Sequence, residues 1–386
     1  MKKVLWLCSW FPNRLNAFEG DPIERLALAA AALSKITLLF VKKDPNLPAG
    51  KTETVTEQPH PNLEIIKLYY GVPAKWGVLV AKTYSTIQYY KLFIQQIKKH
   101  IAENGLPNGI QVNVAMKAGL PAVWAKQKFK LPFIIVERNG WFLPEANPNY
   151  RSTNFINKWL YKKVYKEAKA VVSVSAHLAT YLKQWFNRNA IVVPNVVDTD
   201  SFYPAATAND GRFHYIHISS LDYPKNPELL LEAFAIAYQQ NNSMVLHLYG
   251  PQRPALKALC QQLHIANAVH FYAEATHQQL SKALQQANAL LLCSRYESFG
   301  IVVIEAQACG LPVIVSNYKV FEETVVPNST GLVVENYNAP ALAHAMLQLK
   351  NHPQAFNKNN IAAITKEKFS YPVVAQQLTA IYQQQF

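Results

Sequence analysis

ALLLCSRYESFGIVVIEAQACGLPVIVS, residues 289–316, carries the reading of the whole chain. Ala289 to Cys293 is a short apolar run of the kind buried on both faces of a parallel sheet, and Val313 to Ser316 is a second. Between them the pattern predicts a helix that starts near Ser298 or Phe299. It stops at Gly310, which tolerates the left-handed conformation, and Pro312 forbids continuation. Strand, helix, strand is a βαβ unit. Its turn, Arg295-Tyr296-Glu297-Ser298-Phe299-Gly300, falls at the carboxyl end of the strand, where open α/β sheets bind ligands. Glu297 in the turn and Glu305 in the helix bring two carboxylates there, and the unpaired N–H groups of a helix start offer an anion site. Anion and polyol recognition side by side fit a phosphate joined to a sugar.

Upstream, strands are predicted at Tyr215–Ile218, Val245–Tyr249 and Val269–Tyr272, with helices at Pro227–Tyr238, up to Leu263, and at Gln278–Gln286. The first half repeats the rhythm. Strand Val4–Trp10, helix Pro22–Leu33 and strand Ile36–Val41 are followed by a polar, loop-like stretch at 42–62. Further strands are read at Leu63–Tyr70, Asn108–Met116, Phe133–Glu137 and Val171–Ser175, and helices at Tyr150–Lys169 and Ala176–Phe186. In a parallel sheet Gln111, Asn113, Glu137, Arg138 and Asn139 are expected at the same cleft as Gly20, a glycine that lets another molecule approach the backbone. Asn195 to Pro204 reads as a hinge. The expectation is an α/β chain of two doubly wound domains, 1–195 and 196–370, with a terminal helix at about 371–386 packing back on the first.

Residues 1–195 hold 27 Lys and Arg against 11 Asp and Glu, whereas residues 196–386 hold 11 against 13. An excess of +16 in one half implies an anionic partner or a solvated lysine face. Between Tyr69 and Lys99, Tyr69, Tyr70, Lys75, Trp76, Lys82, Tyr84, Tyr89, Tyr90, Lys91, Phe93, Lys98 and Lys99 interleave aromatics with lysines. That segment reads equally as a surface for anionic lipid headgroups and as a core-facing helix. Zinc spacing, RNP-like strands and a basic zipper are missing from the sequence, which argues against nucleic acid. Cys8, Cys260, Cys293 and Cys309 follow no metal or redox spacing, and Asp198-Thr199-Asp200 reads as turn and cap chemistry rather than a metal site. No apolar run approaches the roughly 20 residues that span a bilayer. The expected location is the cytoplasm, soluble or peripheral on the inner face of the cell membrane.

Three stretches together resemble the GT4-like retaining glycosyltransferases, whose fold is two facing Rossmann-like domains (GT-B) with the cleft between them. Glu297-Ser298-Phe299-Gly300 through Glu305, with Gly310 and Pro312, is similar to that family's E-x7-E signature. Val193-Pro194-Asn195-Val196-Val197-Asp198 is similar to its interdomain turn, and Ser219-Ser220-Leu221-Asp222-Tyr223-Pro224-Lys225-Asn226 to its phosphate-binding loop. The resemblance implies transfer of a hexosyl unit from a UDP- or GDP-hexose to a glycan or lipid-linked acceptor, with no metal or other cofactor. It gives Glu305 the ribose, Glu297 the donor hexose, and Lys225 the diphosphate with help from the backbone of Ser298, Phe299 and Gly300; Asn226 falls in the same donor loop. This chain departs from the pattern at Ser220, where a second phosphate-binding cation is usual and Arg295 is a candidate substitute. It departs again at Arg138, where many members have His near the transferred sugar, and at Tyr318-Lys319, where Gly-Gly is usual. An epimerase or phosphorylase of the same fold, or a degenerate sugar-binding protein, is the alternative.

Overall fold

The computed structural model describes residues 1–73, 77–206, 210–335 and 338–386, so Lys75 and Trp76 of the aromatic segment lie outside the described residues. Among those residues the strands form two sheets. The first contains β1 (Lys2–Cys8), β2 (Ser34–Lys43), β3 (Thr52–His60), β4 (Leu63–Tyr70), β5 (Gly109–Asn113), β6 (Phe133–Glu137), β7 (Ala170–Ser173) and β8 (Ala190–Val192), in the order β3-β4-β2-β1-β5-β6-β7-β8. Helices α1 (Asp21–Ala31), α2 (Val78–Asn104), α3 (Gly119–Phe129), α4 (Phe155–Glu167) and α5 (Ala176–Phe186) belong to the same half.

The second sheet contains β9 (Phe213–Ile218), β10 (Met244–Tyr249), β11 (Val269–Tyr272), β12 (Ala289–Leu292), β13 (Val313–Ser316) and β14 (Gly331–Val334), ordered β11-β10-β9-β12-β13-β14 and parallel throughout. Helices α6 (Pro227–Gln240), α7 (Pro254–Gln262), α8 (His277–Gln286), α9 (Ile301–Ala308), α10 (Phe321–Thr324), α11 (Ala339–Asn351), α12 (Lys358–Phe369) and α13 (Tyr371–Gln385) complete the chain. This is the doubly wound order, with its switch point between β9 and β12; the first sheet switches between β1 and β5. Each switch opens a crevice at the carboxyl ends of the strands.

Residues 42–62 are not loop throughout: β3 pairs antiparallel with β4 and closes the first sheet's edge. Its residues Thr52-Glu53-Thr54-Val55-Thr56 are β-branched apart from Glu53, but almost all are exposed, so no apolar face marks them as a strand. A register shift near Pro59 blunts this edge, as edge strands commonly require. The predicted helix at 150–169 begins only at Phe155, where the Asn154 side chain accepts from Asn157 N at 2.9 Å.

Tyr69, Tyr70, Tyr89 and Phe93 are buried, which decides those aromatics for the core. Gln111 and Asn113 are also fully buried. They turn into the sheet face, Gln111 accepting from Tyr382 Oη at 2.5 Å, rather than into the cleft. That contact belongs to α13, which lays Val374, Ala375, Leu378, Ile381 and Tyr382 against Ile23, Leu26 and Ala30 of α1 and Trp6 of β1. At Gly109 an added Cβ would come within 2.3 Å of the Phe386 ring, which would have to shift to make room.

A second apolar cluster runs from the α2–α5 face of the first sheet through Val197 and Phe202 to α9 and β13, so one continuous core ties the two halves. Leu378 of α13 is buried in the first of these clusters, against α1 and β1, and Leu378→Ala should lower the unfolding free energy by about 2–4 kcal/mol in urea titrations, the ordinary cost of a core leucine. An unchanged midpoint would mean that α13 contributes nothing to the first half.

Candidate active site

The β12–α9 turn is held by its neighbours before it can hold anything else. Arg295 N donates to Pro224 O at 2.8 Å, its Nε to Tyr223 O at 3.2 Å and its Nη2 to Asn226 Oδ1 at 2.5 Å. Its guanidinium also lies 4.6 Å from the Tyr223 ring centroid. Arg295 is thus a clamp between the 219–226 loop and the turn, with Nε and Nη2 engaged by protein. Asn226, in the left-handed conformation with φ 50°, is spent on the same junction. The clamp sets Lys225 beside Glu297, and the two form an ion pair.

The helix α9 begins two or three residues later than the pattern predicts because Gly300 takes φ 82°, which no helix accommodates. A Cβ there would meet the Phe321 ring at 2.9 Å. The Ser298 N–H turns back to Glu297 Oε1 at 3.1 Å, and the Ser298 carbonyl accepts from Ser175 Oγ at 2.8 Å. The Phe299 side chain is core, edge-on to Phe369 at 5.9 Å, so any donor contact there falls to its backbone. Gly20 has φ 72°, and a Cβ would lie 2.7 Å from Trp10 C; what approaches this glycine is its own chain.

Glu305 is buried on α9 and meets Arg25 of α1, from the other half of the chain, at 2.5 Å. Arg25 also faces Asp21 at 2.8 Å and His277 Nε2 at 2.8 Å, and His277 reaches Asp21 at 2.7 Å. Burial opposes the charge on Arg25, but the carboxylates of Glu305 and Asp21 outweigh it and hold the guanidinium more firmly protonated than usual. Asp21, for its part, is buried yet kept below the usual carboxylate range by His277 and Arg25. Nothing in the sequence pattern marks Arg25; it is one arginine in an amphipathic helix.

On the opposite side of the cleft, Glu323 Oε2 accepts from Ala176 N at 2.8 Å and Oε1 from His177 N at 2.9 Å, capping α5 from the second half. Tyr318, where the resemblance led to glycine, donates to Glu145 at 3.0 Å and contacts His177 Nε2 at 2.9 Å.

Glu137 is completely buried and accepts from Ala115, Arg138 and Asn139 N–H groups and from Tyr165 Oη; burial pushes its pKa up, and these donors oppose that. It is an anchor for the strand end. Arg138 is buried too, donating from Nη1 to Asn195 Oδ1 at 2.9 Å at the junction of the halves. Burial lowers its pKa to about 10, and Nε and Nη2 have no hydrogen-bond partner. Among the described residues no hydrogen bond or ion pair joins Arg138 to Lys225 or Glu297.

A cavity of about 250 Å³ lies at the carboxyl ends of β9 and β10, lined by Phe18, Ser219, Ser220, Tyr249, Gly250 and Glu274 among others. Gly250 is obligatory, since a Cβ would sit 2.2 Å from Ser219 O. Ser220 itself carries no charge into the cavity; Arg253 Nη2 donates to its carbonyl at 3.2 Å from the exposed rim. Of these residues the sequence reading found only Ser220, though the glycine ending β10 was the available signal. No cluster of His, Cys, Asp and Glu able to hold a metal occurs among the described residues.

The family model Glycosyltransferase Family 4 matches residues 55–201, and the model Glycosyl transferases group 1 matches residues 199–366. The chain belongs to the group 1, family 4 glycosyltransferases. Over 216 residues, 50% of the chain, it is 31% identical to D-inositol 3-phosphate glycosyltransferase of Corynebacterium urealyticum, covering 51% of that protein. Over 277 residues it is 22% identical to glycogen synthase of Mycobacterium tuberculosis, covering 68% of this chain and 65% of the relative. The chain thus spans between about half and two thirds of the length of these curated relatives.

Solved structures share the GT-B fold over nearly the whole chain. Sucrose-phosphate synthase from Thermosynechococcus elongatus superposes with a TM-score of 0.77 at 22% identity, covering 99% of each chain. Anabaena HepE superposes with a TM-score of 0.71 at 17% identity, covering 99% of this chain and 100% of HepE.

The 219–226 loop of this glycosyltransferase hangs on His217, which is buried, with Nδ1 2.8 Å from Leu291 O and Nε2 2.7 Å from Ser219 Oγ. A carbonyl only accepts, so Nδ1 carries a proton. Burial lowers its pKa from 6.5 to about 4. The unfolded chain therefore binds a proton that the native state refuses, and the stabilisation is complete above pH 6.5 and lost as pH falls to about 4. Its size is about 3 kcal/mol at most. His217→Asn should flatten this part of the stability profile in melts between pH 7 and 4; parallel profiles would show that His217 titrates normally.

Proposed function

We propose that this chain moves a hexosyl unit from a nucleoside-diphosphate sugar to an acceptor hydroxyl with retention at the anomeric carbon, in the assembly of a surface polysaccharide or glycolipid. The observation that supports the reading is the ion pair of Lys225 and Glu297, which joins the loops after β9 and β12, with Glu305 on the helix that follows and a cavity of about 250 Å³ at the ends of β9 and β10. The Anabaena neighbour was solved with UDP and glucose and with UDP-glucose, which supports a nucleotide-sugar donor.

In this reading residues 196–370 form the donor domain and residues 1–195 the acceptor domain. The base enters the cavity between Phe18 and Gly250. Glu305 takes the ribose diol, for which two acceptor oxygens are suited, and Glu297 takes hydroxyls of the hexose. Lys225 sits where charge develops as the bond from the anomeric carbon to the diphosphate breaks. The acceptor oxygen forms its bond on the same face, and its proton goes to the leaving phosphate oxygen, so no protein nucleophile and no metal is called for. Contacts of Ser175 with Ser298 and of Glu323 with α5 keep the halves together and keep water out.

Lys225→Ala and Glu305→Gln should each reduce turnover of UDP- or GDP-sugars by about 100-fold or more while the melting temperature stays measurable, as loss of a charge-stabilising group does elsewhere. Unchanged turnover in both would sink the assignment.

The acceptor side carries its own signal. Phe155, Ile156 and Trp159 on α4 are exposed by 81%, 67% and 54%, among Lys158, Lys162, Lys163 and Lys166. Because α4 follows β6, its first turn lies toward the carboxyl edge of the sheet, at the cleft rim. Exposed Leu79, Val80 and Ile87 on α2 add to the same helix layer. Aromatics flanked by lysines suit an anionic membrane face, and with it a lipid-linked acceptor. No helix among the described residues is long and apolar enough to cross a membrane. Vesicles rich in phosphatidylglycerol should sediment the protein at low salt. Phe155→Ser/Trp159→Ser should weaken this several-fold, and wild type that stays in the supernatant would refute the membrane face.

A further inference from the structure

We propose that Arg25 is the second cation of the diphosphate site, held on Glu305 until the donor ribose takes its place. The proposal rests on the donor reading given above.

Its starting point is a conflict of roles. Glu305 is assigned the ribose diol, yet one of its oxygens is taken by Arg25 Nη1 at 2.5 Å, and both side chains are nearly sealed from solvent, at 6% and 3% exposure. A carboxylate has about four acceptor sites, so one guanidinium does not exhaust it; but with both side chains this sealed, a vicinal diol reaches both Glu305 oxygens only if the guanidinium moves aside. Arginine does not resolve the conflict by losing its proton. Nor can it be left alone: a buried charge separated from its partner is strongly unfavourable. Arg25 remains tethered to Asp21, four residues earlier on α1, so it stays in the cleft when it lets go of Glu305. The anion that arrives with the ribose is the diphosphate joined to its C5′.

The inventory of cations on the donor side agrees. Ser220 is uncharged where the resemblance leads to a phosphate-binding cation. Arg295 spends its fork on Tyr223 and Asn226, and Lys225 is ion-paired with Glu297. Arg253 reaches only the Ser220 carbonyl, from an exposed rim. A diphosphate carries more charge than one lysine offsets, and a planar guanidinium fork matches phosphate oxygens in pairs. Arg25 is buried, permanently charged and at the seam, and it comes from the first half. Its move from carboxylate to diphosphate would make donor binding itself the event that draws α1 onto the donor.

The test is calorimetry of UDP, GDP and their nucleosides on wild type, Arg25→Gln, Arg25→Lys and Arg253→Gln. Wild type that binds none of these ligands contradicts the donor reading itself. If wild type binds, Arg25→Gln should weaken the diphosphate by about 10- to 100-fold, the range of charge-assisted hydrogen bonds. The nucleoside should bind as well as before or better, because Glu305 is no longer covered. Arg25→Lys keeps the charge and is expected to fold; it should lose about 3- to 10-fold on the diphosphate alone. Ser220→Arg in the Arg25→Gln background should recover much of the loss. Diphosphate affinity unchanged or tighter in both Arg25 variants would reduce Arg25 to a lid over Glu305 and overturn the proposal. A loss confined to Arg253→Gln would do the same by giving the role to Arg253.

Discussion

A carboxylate sealed within an apolar helix has to be answered by a cation, and Glu305 is answered from the far side of the cleft. Its neighbours Val303, Ile304 and Ala306 are buried, so water cannot solvate it, and Arg25 of α1 meets it with Asp21 and His277 behind. Much else follows from that pairing. It brings the carboxyl edges of two sheets together, and the opposite edge of the seam is then closed by Ser175 on Ser298 and by Glu323 at the start of α5. A site assembled from two halves is complete only when they meet, which makes closure part of its chemistry rather than an accessory to it.

The parts legible in the sequence were those fixed by local rules. Apolar runs buried on both faces, with Gly310 and Pro312 as stops, mark the parallel strands and α9 without any knowledge of their neighbours. Lys225 and Glu297, forecast separately from two loops, do form a pair. What was not legible depended on distant partners. The strand β3 is an exposed edge defined by β4 rather than by its own pattern. The packing of the Phe299 ring on Phe369 from α12 was not foreseen, though the donor role read for this position was its backbone's. Gln111 and Asn113 end a strand as cleft residues do, and face Tyr382 and Cys8 instead. Arg25 became visible only when α1 was set against α9, a contact spanning 280 positions in the chain.

The charge asymmetry takes on a spatial meaning in this fold. The acidic half supplies one lysine and two carboxylates at the donor end, whereas the basic half supplies Arg25 at the seam and a lysine-lined, partly apolar helix layer near the rim. A soluble anionic donor and an anionic surface bearing the acceptor would meet from different sides of one cleft. Arg138 is tied through Nη1 to Asn195 at the junction of the halves, while its buried Nε and Nη2 have no hydrogen-bond partner.

The central claim is that Glu305 receives the ribose and Lys225 the diphosphate. A crystal structure of the protein with UDP or GDP tests this most directly. The ribose hydroxyls are predicted on Glu305, the diphosphate at Lys225 and the base in the cavity between Phe18 and Gly250. A nucleotide bound elsewhere, with Glu305 still paired to Arg25, would contradict the account.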